Sequence, residues 1–85
     1  MENLLKRKFA DTLYNKRIEL GLTQLEMAEK VFLSLRQYND LENGLRLPSF
    51  ESFVNIIIEC ELDSNALIND IIASGYAGND NRNSA

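Results

Sequence analysis

A helix start signal that occurs twice in quick succession constrains this chain more than any other feature. Thr23 and Glu26 form the pattern T-x-x-E, and eleven residues later Ser34 and Gln37 form S-x-x-Q. In each pattern the hydroxyl accepts a hydrogen bond from the backbone N–H three residues on. The Glu or Gln side chain reaches back to the N–H of the capping residue, so two orphan donors of a helix N-terminus are satisfied together. An apolar residue precedes each cap and is spaced to pack on the first full turn: Leu22 with Met27, and Leu33 with Tyr38. Starts this close leave room only for two short helices and a tight turn, the geometry of a helix-turn-helix.

The flanking sequence supplies three more helices. A first helix is predicted from Leu4 to Leu20, with Phe9, Leu13 and Leu20 on one face and Ala10, Tyr14 and Ile18 widening it. Gly21 follows as its stop, because glycine accepts a left-handed backbone at little cost. Ala28 and Val31 continue the buried face of the second helix; Tyr38 and Leu41 face inward on the third, which Gly44 ends. After Pro48 and Ser49, a fourth helix carries Phe50, Phe53, Val54, Ile57 and Cys60 as its apolar stripe. Asp63 or Ser64 caps a fifth, with Leu67, Ile68, Ile71 and Ile72. No stretch alternates with period two for long enough to make a strand. The expected fold is all-α, one domain over residues 1–74, followed by a disordered polar tail over 75–85 rich in Gly, Asn, Ser and Asp.

Composition narrows the chemistry. The chain has no His, which removes the usual metal sites and His-based catalysis, and its single Cys60 cannot form an internal disulfide. Cys60 falls on the apolar stripe of the fourth helix, where a structural thiol is expected. The acids lack the spacing of a calcium loop. No enzyme activity, cofactor, metal, small-molecule ligand or membrane association is expected. Met1 opens onto a mixed-charge segment without the apolar run of a leader, so a cytoplasmic location is expected. The net charge of −4 is uneven. Residues 1–46 hold eight basic groups against seven acids, whereas residues 47–85 hold one against six. The acidity belongs to the C-terminal half, which leaves the helix-turn-helix half free to face a polyanion.

These residues resemble a known family. Gly21-Leu22-Thr23-Gln24, Ala28, Ser34, Glu42-Asn43-Gly44 and Pro48-Ser49 match, in identity and spacing, the Cro/cI-type (XRE) helix-turn-helix repressors over roughly residues 9–72. The resemblance implies a five-helix, lambda-repressor-like DNA-binding domain with its third helix in the major groove, bound as a dimer to a palindromic site. It also implies that Arg17 on the first helix pairs with Glu42 and lies near a phosphate, and that Gln24 meets a phosphate. Three positions depart from the family pattern. Phe32 stands where the turn usually has Gly, so either the turn differs or packing holds Phe32 in a left-handed conformation. Glu61 replaces a Gly that often ends the fourth helix. Asp40 occupies a position often used to contact bases.

Helical arithmetic sorts the third helix without the family. With Tyr38 and Leu41 inward, Arg36, Asn39, Asp40 and Asn43 lie within about 60° of the opposite direction. Arg36 is the strongest base reader, because its planar fork matches O6 and N7 of guanine; Asn39 suits adenine, and Asp40 either reads cytosine N4 or repels phosphate. The base-reading set is therefore Leu35, Arg36, Asn39 and Asp40. The phosphate set is Gln24, Ser34, Asn43, Arg46 and Arg17. A homodimer is expected through the fifth helix, by Leu67, Ile68, Ile71 and Ile72, with Ile58 adding to the patch. Sequence-specific binding to double-stranded DNA, as a transcriptional regulator and repressor, is the reading these features favour. The alternative is a protein-interaction module that keeps the fold without binding DNA, for which the net charge and Asp40 argue.

Overall fold

The computed structural model describes residues 3–76. Five helices follow one another: α1 Leu4–Leu20, α2 Gln24–Lys30, α3 Leu35–Glu42, α4 Phe50–Glu59 and α5 Ser64–Ala73. No strand occurs among the described residues. Each helix starts on a side chain that accepts a backbone N–H from its first turn: Asn3, Thr23, Ser34, Ser49 and Asp63. Both capping boxes are complete, with Glu26 and Gln37 accepting from the Thr23 and Ser34 N–H at 2.8 and 3.0 Å.

The helices also end alike. Leu22, Leu33, Leu45, Leu62 and Tyr76 each donate a backbone N–H to the carbonyl five residues back. The residue before each is left-handed: Gly21, Phe32, Gly44, Glu61 and Gly75. This is the Schellman closure, which satisfies carbonyls the helix leaves open. At Phe32 (φ 65°) neither expected alternative holds, since the turn keeps its left-handed residue and the ring is 67% exposed. Backbone hydrogen bonds hold the conformation instead: Leu33 N–H reaches the Ala28 carbonyl at 2.9 Å, and Phe32 N–H reaches that of Glu29 at 3.2 Å.

The core draws on every helix. Leu13, Met27, Val31, Tyr38 and Ile56 are fully buried, with Phe9, Ala28, Leu41, Cys60, Leu67 and Ile71 around them. Phe9 of α1 and Phe53 of α4 meet with ring centroids 6.0 Å apart. Helix α3 packs against both α1 and α2, and α5 packs against α1, where Lys8 pairs with Asp70 at 3.0 Å.

Three sequence expectations are corrected. On α4 the buried residue is Ile56, and Phe50 is 82% exposed, so the helix is rotated from the expected stripe while Phe53, Ile57 and Cys60 still face the core. This helix carries apolar residues around more than one face, and periodicity alone could not choose between them. On α1, Tyr14, Ile18 and Leu20 are exposed. Gly75 and Tyr76, assigned to the tail, close α5, and Tyr76 packs on the core. The remainder of the expected tail, 77–85, lies outside the described residues. Among the described residues no helix is long and apolar enough to cross a membrane.

Candidate nucleic-acid interface

The orientation of α3 is fixed by one carboxylate. Glu42, in its last turn, is joined to each of the first three helices. From α1, Arg17 Nε donates to Glu42 Oε2 at 2.9 Å and Arg17 Nη2 to Oε1 at 3.0 Å. From α2, Gln24 Nε2 donates to Oε1 at 3.0 Å; within α3, the Tyr38 hydroxyl donates to Oε2 at 2.5 Å. The Glu42 side chain is only 5% exposed. Burial pushes its pKa up, but hydrogen bonds from Arg17, Tyr38 and Gln24 together outweigh burial and hold the carboxyl below its ordinary value. The bond to Glu42 raises the pKa of Arg17. Burial, then Glu42, raise that of Tyr38, which stays a phenol donor. Arg17 Nη1 also donates to the Leu22 carbonyl at 3.1 Å, and its guanidinium lies 5.4 Å from the centroid of the Tyr14 ring.

These contacts alter what several residues offer a ligand. Arg17 and Gln24, expected at phosphates, direct their hydrogen bonds to Glu42 and, for Arg17, to Leu22 as well. Each keeps spare N–H groups, since a guanidinium has five and an amide two. Sequence reading placed Tyr38 inward as packing and missed its hydroxyl. The signal was available, because Tyr38 lies four residues before Glu42 and so directly below it on the helix.

On α3, Tyr38 and Leu41 are buried, and Leu35, Arg36 and Gln37 are exposed. Arg36 makes no ion pair among the described residues. Asn39 is half-buried, and its carbonyl oxygen Oδ1 is buried without a hydrogen-bond partner. A bidentate adenine contact requires that oxygen, so the side chain must turn outward to make one. Asp40 is not left as a bare anion: its Oδ2 lies 3.3 Å from Nη2 of Arg46, in the segment between α3 and α4. Ser34 caps α3 through its oxygen and keeps its hydroxyl proton to donate. Asn43, the C-cap, is exposed.

The expected dimer face divides in two. Leu67 and Ile71 are largely buried within the chain itself, at 7% and 4% exposure, and form part of the lining of an apolar groove. Ile68 and Ile72 remain exposed. Ile68 lines the same groove, of about 370 Å³, with Leu5, Phe9, Leu47, Pro48, Phe50 and Phe53. Burial also raises the pKa of the Cys60 thiol, against lesser opposing effects of Lys30 and Lys16. That keeps it protonated and unreactive.

Comparison with known proteins agrees with this geometry. The helix-turn-helix family model matches residues 13–63. The ImmF control region 10 kDa protein of Bacillus phage phi105 is 38% identical over 61 residues, covering 72% of this chain and 68% of that protein. The cryptic phage CTXphi transcriptional repressor RstR of Vibrio cholerae serotype O1 is 33% identical over 60 residues, covering 71% of this chain and 54% of that protein. In fold, the chain is similar to a mutant of the restriction-modification controller protein C.Esp1396I. The TM-score is 0.72 at 24% identity, covering 87% of this chain and 94% of that one. With the two capped helices packed on each other and the family pattern running through them, the chain belongs to the XRE-type helix-turn-helix family.

Proposed function

We propose that this protein is a sequence-specific DNA-binding transcriptional regulator that acts as a repressor, with α3 in the major groove and Arg36 as its main base reader. The observation that carries this is an exposed Arg36, free of ion pairs among the described residues, in the first turn of a helix anchored through Glu42 to α1 and α2. A base-reading side chain gains specificity only if its helix is held in register, and here one buried carboxylate holds it. Two relatives, a phage control-region protein and a phage repressor, support the same reading. Ser34 and Asn43, with the spare donors of Gln24 and Arg17, serve the flanking phosphates.

The protein acts as a homodimer. The face is the outer side of α5, Ile68 and Ile72, continued by the exposed Phe50 beside the apolar groove. An exposed aromatic next to an apolar groove on the same surface suits a two-fold contact, in which each copy's Phe50 enters the other's groove.

The test is fluorescence anisotropy on duplexes selected from a random pool, against scrambled ones at low salt. Arg36→Ala should cost about 1–3 kcal/mol on the selected site and relax preference at one base pair. No binding to any duplex, or binding indifferent to Arg36→Ala, would instead favour a protein-interaction module.

A further inference from the structure

Asp40 stands four residues after Arg36, one turn up the same face of α3. That spacing makes the two side chains neighbours, close enough for an Arg and an Asp to pair. In this structure they do not. Asp40 pairs with Arg46 at 3.3 Å, and Arg36 has no ion-pair partner among the described residues. The chain is built to bring Arg46 there. Gly44 turns left-handed at φ 73°, and Leu45 N–H closes onto the Asp40 carbonyl at 2.9 Å. Two residues after that turn, Arg46 lies against the carboxylate of the residue whose carbonyl closed the helix.

We propose that Arg46 is a positioning residue for base recognition: it occupies Asp40, so that the guanidinium of Arg36 stays free to read the groove. This rests on the DNA-binding reading above and goes beyond it, because it removes Arg46 from the expected phosphate contacts and gives it a role in specificity. Asp40 is 23% exposed at its side chain and Arg46 60%, so the carboxylate is the more enclosed partner and the cation shields it from solvent. Without Arg46, the nearest cation on the same helix face is Arg36. An Arg36 drawn to Asp40 keeps spare N–H groups but is turned toward the carboxylate, and it must reorient before two of them can reach O6 and N7 of guanine. The loss falls on the selected base pair, because only there does Arg36 have two bonds to gain.

The two roles open to Arg46 predict different results. A phosphate contact, when removed, weakens binding to all sequences alike and is not rescued by changing Asp40. A positioning role lowers discrimination and is rescued. The position that Arg36 reads is first identified as the base pair whose preference Arg36→Ala abolishes. The ratio of dissociation constants between duplexes with and without that pair is then measured for the wild type, Arg46→Ala, Asp40→Asn and the double variant. We expect Arg46→Ala to reduce the ratio by about two- to fivefold, the size of an exposed ion pair, and Asp40→Asn/Arg46→Ala to restore it. Arg46→Lys, which keeps a cation for Asp40, should retain most of the ratio.

A measurement without DNA separates this proposal from the reading beneath it. In the free protein, the 15N and 1H signals of Arg36 Nε–H should shift in Arg46→Ala and return in the double variant. Signals indifferent to Arg46→Ala, or an equal loss of affinity on every duplex that Asp40→Asn fails to rescue, would overturn the positioning role. Wild-type protein that binds no duplex would overturn the DNA-binding reading, and the specificity role with it.

Discussion

Glu42 shows how much one side chain can decide. Its two oxygens accept four hydrogen bonds, two from Arg17 and one each from Gln24 and Tyr38. A buried charge is tolerable only when paired and fully hydrogen-bonded, and removing a partner leaves a charge that costs roughly 3 kcal/mol or more. The pKa of Glu42 is lowered in the folded state, so the sign of its linkage is fixed. Its stabilisation is present above the unfolded carboxylate value, about 4.3, and is lost as pH falls through the lower folded value. Glu42→Gln should therefore destabilise the domain most at neutral pH. The stability gap to wild type should narrow as pH drops below about 4.3. Urea melts of both proteins across that range check this, and a gap constant with pH would contradict it.

At the scale of the element, five helices share one way of ending, and sequence chemistry suits three of them. Gly21, Gly44 and Gly75 take the left-handed position without strain, whereas Phe32 and Glu61 hold it with a Cβ present. A left-handed L-residue costs about 1–2 kcal/mol, and the exposed Phe32 ring recovers little by packing. Phe32→Gly should raise stability by about 1 kcal/mol, after the greater freedom of glycine in the unfolded chain is subtracted, and Phe32→Ala should not. Thermal unfolding of the two variants decides it. Four of the five residues after these positions, Leu22, Leu33, Leu62 and Tyr76, pack on the core. The exception is Leu45, 64% exposed, where the chain turns to carry Arg46 onto Asp40.

For the whole molecule, charge is uneven along the chain, and one exposed apolar surface adjoins a groove. The net negative charge belongs to residues 47–85, where six acids face one base, while eight bases offset the seven acids of residues 1–46, so a net charge of −4 does not forbid a DNA-facing side. The pairing of Asp40 with Arg46 further reduces the negative field on the reading face. The exposed apolar residues Phe50, Ile68 and Ile72 lie on α4 and α5. If that surface is a dimer face, sedimentation at tens of micromolar should show a dimer. Phe50→Ser with Ile68→Asp should give a folded monomer, because both side chains are exposed within one chain. A wild-type monomer at that concentration would remove the proposal.

The sequence by itself determined where the helices start, that Gly21 and Gly44 end two of them, and which residues of α3 face in. Caps, left-handed closures and the 3.6-residue period act within a few residues of chain, so residue type and spacing suffice to read them. The tertiary structure alone decided which apolar face of α4 turns inward, burying Ile56 and leaving Phe50 out. It decided that half of the apolar face of α5 is spent inside the chain. It also decided that Glu42 collects the Gln24 and Tyr38 side chains as well as Arg17, and that Asp40 takes Arg46 over Arg36. Each of these is a choice among locally equivalent partners. Only the packing of one helix on another, which brings distant residues within hydrogen-bond or van der Waals reach, makes one choice lower in free energy than the rest.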